Sequence, residues 1–146
     1  GVEKKVKIPK GTEVIEIAPK RDLGSMLNFN AESCRRNYKL GNFDAMRLLY
    51  GLSGEKYYID RTLSEKEAYE ILKQAVAAKK DPEISLRKLH EDILKLSKAS
   101  GSKGDYYDVF IALLERAAED LKISCLSIYT DVGLLQKVLL KKSGII

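Results

Sequence analysis

Apolar residues in the second half of the chain recur at spacings of three and four, the period of an amphipathic helix. From Asp105 onward, Tyr106, Val109, Phe110, Leu113, Leu114, Ala117, Ala118 and Leu121 share one wide face, the strongest periodic signal present. Ser64-Glu65-Lys66-Glu67 reads as a capping box opening a helix whose Ala68, Ile71, Leu72, Ala75 and Val76 lie on one side. Asp81-Pro82 is a further start signal, and Leu86, Leu89, Ile93 and Leu96 then form a second stripe. The segment from Ile123 to Leu140 is apolar nearly all round. It fits either a buried helix or a short strand before a final helix, and helix is the expectation.

The first half is patterned differently. Val2, Val6 and Ile8, then Val14, Ile15 and Ile17, flank Pro9-Lys10-Gly11-Thr12 and suggest a β-hairpin, with a type I turn at Ile8-Pro9-Lys10-Gly11. A lone hairpin is marginal in water, so a third strand is expected, with Tyr57-Tyr58-Ile59 within Glu55 to Asp60 as the candidate. Between Asp22 and Gly54, Gly and Asn residues favour short helices. Asn30 would cap one ending at Gly41, and Asn42 or Asp44 a second ending at Gly51. The fold expected is mainly α: a bundle of about four to five helices with a small N-terminal β-hairpin. Residues 1–20 form the hairpin, 21–63 the short helices and loops, and 64–146 the bundle, as one domain.

Composition bounds the class further. The chain has 146 residues, 45% hydrophobic and 32% charged, enough for a core that needs no disulfide or metal. Cys34 and Cys125 have no Cys or His near them, so metal-ligand spacing is missing. Two reduced thiols and no leader sequence suggest an intracellular, cytoplasmic setting. Gly1 in place of Met and the apolar Gly144-Ile145-Ile146 end suggest a processed chain or a fragment of a larger protein. Nothing reads as a membrane span.

Enzyme chemistry finds little support. His90 is the sole histidine, which excludes multi-histidine mechanisms within the chain. Ser85-Leu86-Arg87-Lys88 matches Ser-x-x-Lys only formally, without companion motifs. Gly51 to Lys56 and Gly101 to Gly104 lack phosphate-loop spacing. No cofactor, metal or catalytic residue is expected.

The net charge of +5 lies in the first hundred residues: 1–60 carry eleven basic and eight acidic groups, 61–100 nine and seven, and 101–146 six of each. The densest basic cluster is Arg35-Arg36-Asn37-Tyr38-Lys39, with Phe29, Phe43, Arg47 and Tyr50 nearby. Cations of this kind neutralise phosphates, and interleaved aromatics stack on unpaired bases. Arg35, Arg36, Tyr38, Lys39 and Arg47 are therefore the candidate nucleic-acid contacts, RNA and DNA being undistinguished. Lys79, Lys80, Lys103, Lys137, Lys141 and Lys142 are secondary candidates, although cations in a helix's last turn also favour its dipole. The leading expectation is a non-enzymatic helical domain contacting phosphate backbone with little sequence specificity, as a component of a ribonucleoprotein, replication or defence complex. The alternative is a protein-interaction or oligomerisation module that docks through the hairpin edge or the C-terminal apolar segment.

Overall fold

The computed structural model describes residues 7–19, 21–25, 30–79, 83, 87, 88, 90, 91, 95 and 105–146. The architecture is mainly α. Among the described residues, helices α1 (Ala31–Tyr50), α2 (Glu65–Ala77), α3 (Tyr106–Asp120) and α4 (Asp131–Leu139) accompany two short strands, β1 (Tyr58–Asp60) and β2 (Ile128–Thr130).

The two strands pair in parallel, Tyr58 opposite Ile128 and Asp60 opposite Thr130, so α2 and α3 lie on the crossover between them. Each strand runs almost directly into a helix. Thr130 caps α4 by accepting the Gly133 N–H at 3.0 Å. Ser64 caps α2 in a complete capping box: its hydroxyl accepts the Glu67 N–H, and Glu67 accepts the Ser64 N–H at 2.8 Å. Asp105 caps α3, and Glu65 accepts the Tyr106 N–H at 2.7 Å, tying the start of α2 to that of α3.

The core forms where these elements converge. Ile59 of β1, Ala68 and Leu72 of α2, Val109, Phe110, Leu114 and Ala118 of α3, and Leu134 and Val138 of α4 are all essentially excluded from solvent. Asp131 lies in the same interior. Its carboxylate accepts N–H groups from Thr62 and Leu63, both at 2.9 Å, with the Thr62 and Tyr107 hydroxyls also donating. The buried charge thereby joins the ends of the two strands.

Three expectations are corrected. Residues 7–19 contain no strand, and Val14, Ile15 and Ile17 are exposed, while Val2 and Val6 lie outside the described residues. The hairpin lacks a surface to pack on, because Tyr57-Tyr58-Ile59 already has β2 on one side and an antiparallel bridge to Ser53 on the other. The turn itself spans Pro9 to Thr12, one residue later than expected, with the Thr12 N–H donating to the Pro9 carbonyl and Gly11 at φ 88°. A left-handed third position suits a type II turn.

Secondly, Asn30 does cap a helix, its side chain accepting the Glu32 N–H at 2.8 Å, but Gly41 does not end it. One helix runs through Asn42 and Asp44 to a left-handed stop at Gly51, φ 66°. Continuity keeps Leu40, Asp44 and Arg47 on one inward face at spacings of four and three.

Thirdly, the segment from Ile123 is not a single helix, since Ile128-Tyr129-Thr130 forms β2 before α4 begins. The expected helix after Pro82 has its apolar stripe outside the described residues; Glu83, Arg87, Lys88, His90, Glu91 and Lys95 are helical and exposed, as a solvated face should be.

Candidate nucleic-acid interface

Helix α1 carries the basic and aromatic cluster, and one side of it packs on β1 and the turn before it. Phe43 packs on Tyr58 with ring centroids 5.1 Å apart, and the Tyr58 hydroxyl donates to Asp44 at 2.9 Å. Burial and the Asp44 carboxylate push the Tyr58 hydroxyl up to a pKa of about 12, so it stays a donor. At the N-terminal half, the Asn37 amide donates to the Leu23 carbonyl at 2.9 Å.

Arg47 belongs to this inner side. Its guanidinium donates to Asp44 at 3.3 Å and to the carbonyls of Glu55 and Tyr57 at 3.3 and 3.0 Å, and it lies 4.3 Å from the Tyr58 ring centroid. Such a guanidinium has its charge and donors largely committed within the chain, which removes it from a phosphate-binding set.

The remaining candidates stay outside. Arg35, Tyr38 and Lys39 are exposed, and Tyr38 is open to 79%. At 100° per residue these three and Asn42 fall within an arc of about 100°, spread over about 10 Å of helix, whereas Arg47 is turned about 120° from Arg35. Neither Arg35 nor Lys39 has a carboxylate partner among the described residues. Arg36 lies at the margin, exposed but donating to the Asp22 carbonyl at 3.3 Å. Sequence reasoning overlooked Asn42 because it was given a capping role; the four-residue step from Tyr38 is the signal that finds it.

The secondary cations disperse. Lys79 donates to the Ile146 carbonyl, Lys137 sits 5.0 Å from the Tyr129 ring centroid, Lys141 and Lys142 are exposed, and Lys80 and Lys103 lie outside the described residues.

The cleft beside α3 is unsuited to an anion. It has a volume of about 460 Å³ between Ser53–Lys56 and α3 and is lined by the carboxylates of Glu55, Asp108, Glu115 and Glu119 against Lys56 and Arg116. Lys56 is already paired with Glu119. Glu115 is buried and accepts the N–H groups of Lys56 and Tyr57 at 2.9 and 2.8 Å, so its charge holds the turn. Burial and the neighbouring Asp105 raise the Asp108 carboxyl above its ordinary pKa, as expected where negative charge is crowded.

Metal chemistry has no footing among the described residues, where no group of three His, Cys, Asp or Glu is placed to hold an ion. No described helix is long and apolar enough to cross a membrane. No family model matches this chain, and comparison with curated proteins and with solved structures returned no match.

Proposed function

We propose that the chain is a non-enzymatic binding domain that contacts nucleic-acid backbone, with little sequence specificity, through the outer face of the N-terminal half of α1. The observation that carries this reading is the pair Arg35 and Lys39, one helical turn apart, exposed and without a carboxylate partner among the described residues. Arg36 adds a third cation at the edge of that face. Phosphates release counterions when such groups bind them, so affinity should fall as salt rises.

Fluorescence anisotropy with labelled oligonucleotides at low salt tests the reading. Binding is expected, with a log–log salt slope near −0.7 for each phosphate neutralised on a single strand, hence about −1.4 for two contacts. Arg35→Glu with Lys39→Glu should abolish binding and leave the far-ultraviolet circular dichroism unchanged. Absence of binding to every oligonucleotide at low salt overturns the proposal.

A second reading has its own observation. The C-terminal end of α1 exposes Leu48, Leu49 and Tyr50, the last two to 69% and 72%. A contiguous apolar end of this kind suits a protein contact. The C-terminal segment keeps Leu134, Val138 and Ile145 in the core but exposes Leu139 and Leu140, to 48% and 86%, so docking through either end fits this reading. Light scattering on the wild type and on Leu48→Ser with Leu49→Ser separates an assembling chain from a monomer.

A further inference from the structure

We infer that the α1 site takes an unpaired nucleic-acid strand, with Tyr38 as the platform on which one base stacks; this rests on the backbone-binding reading above. The chain's eight tyrosines all lie among the described residues, and their surroundings divide them. Tyr57, Tyr58, Tyr107 and Tyr129 donate their hydroxyls to Ile123, Asp44, Asp131 and Ser124. Tyr69 and Tyr106 pack edge to face at 4.8 Å. Tyr38 and Tyr50, both on α1, have no such ring contact or hydroxyl bond with a described residue.

These two rings stand in different company. Tyr50 adjoins the exposed Leu48 and Leu49, the apolar end already assigned to a protein contact. Within one turn of Tyr38, the exposed side chains are Cys34, Arg35, Arg36, Lys39 and Asn42, and none is a large apolar group. An open ring with cations on the preceding turn and at the next residue has no large apolar side chain exposed beside it on α1, the kind of neighbour that a protein interface desolvates. It has the composition of a stacking platform on a backbone-binding face, where the ring meets a base and the cations meet its phosphates. Asn42, four residues on, supplies amide donor and acceptor groups on the same stripe. Bases in a duplex are stacked on one another and offer no face to a side chain, so the arrangement favours single strands.

The test compares three labelled probes of equal length at low salt: oligothymidylate, a duplex, and a single strand whose sugars carry no bases. Oligothymidylate is expected to bind most tightly. Tyr38→Ala should weaken it by about 5- to 150-fold while leaving the abasic strand unaffected, and Tyr38→Phe should retain the wild-type preference. Because Tyr38 is open to solvent, both variants should keep the wild-type circular dichroism. Equal affinity for abasic and thymidylate strands, or an unchanged Tyr38→Ala, overturns the stacking role while leaving backbone binding in place. Failure of all three probes to bind overturns both.

Discussion

At the scale of single residues, Arg35 and Arg47 show how two arginines of one helix come to opposite uses. They are twelve positions apart, and the helical period alone turns one outward and the other inward. The Arg47 and Asp44 side chains are 11% and 7% exposed, so each carries a charge whose hydration is replaced by the other and by nearby carbonyls. Removing one member of such a pair leaves its partner's charge buried. Arg47→Ala is expected to lower unfolding free energy by about 2–4 kcal/mol in urea titrations, and Arg35→Ala to change it by less than about 0.5 kcal/mol. Equal effects would mean that the two sides of α1 are not distinguished as described. The clustering of Arg35, Arg36, Tyr38 and Lys39 was legible as a run of letters. The inward turn of Arg47 was not, because it depends on α1 continuing past Gly41.

At the scale of elements, Gly41 and Gly54 make opposed expectations. Gly41 sits inside α1 with open space where a Cβ would stand, so Gly41→Ala should stabilise the chain by about 0.5–1 kcal/mol. Gly54 has φ 89°, and a Cβ there would lie 2.6 Å from the Glu115 carboxylate and 2.8 Å from the Tyr57 carbonyl. Gly54→Ala should therefore destabilise by more than about 1 kcal/mol, with thermal or urea unfolding as the measurement. Local signals served well where the local chain decides. The Ser64 capping box, the Asn30 cap and the face of α3 from Val109 to Ala118 appear where their residue spacing puts them, whereas Tyr106, expected on that face, is exposed and Tyr107 is buried instead. They failed where distant contacts decide. A glycine inside a helix carries no mark separating it from one that ends a helix, and three residues such as Ile128-Tyr129-Thr130 become a strand only because β1 lies alongside. The β-branched residues of 7–19 show the converse, local preference without a pairing strand among the described residues.

At the scale of the whole molecule, the buried tyrosine hydroxyls and the Asp131 carboxylate bear on how stability depends on pH. Burial pushes Tyr57, Tyr58 and Tyr107 up to about 12. Their contribution is complete below the free tyrosine value near 10 and is lost as pH rises through about 12. At Asp131, burial opposes ionisation, but the Thr62 hydroxyl and the amides of Leu63, Thr62 and Val132 outweigh it and hold the carboxyl below its usual range. That contribution is present above the free aspartate value near 4 and disappears as acid titrates the folded protein. Asp108, raised by burial and Asp105, works in the opposite sense and softens the acid limb. Unfolding midpoints measured across pH should show a plateau with an alkaline fall between about 10 and 12 and an acid fall below about 4, and a fall centred near neutrality would contradict it. The parallel pairing also orders events in time. Tyr58 and Ile128 are 70 positions apart, so during synthesis the Tyr57-Tyr58-Ile59 stretch leaves the ribosome roughly 4–14 s before its partner strand exists. Throughout that interval the aromatic segment has its short local bridge to Ser53 but lacks the later strand that completes it.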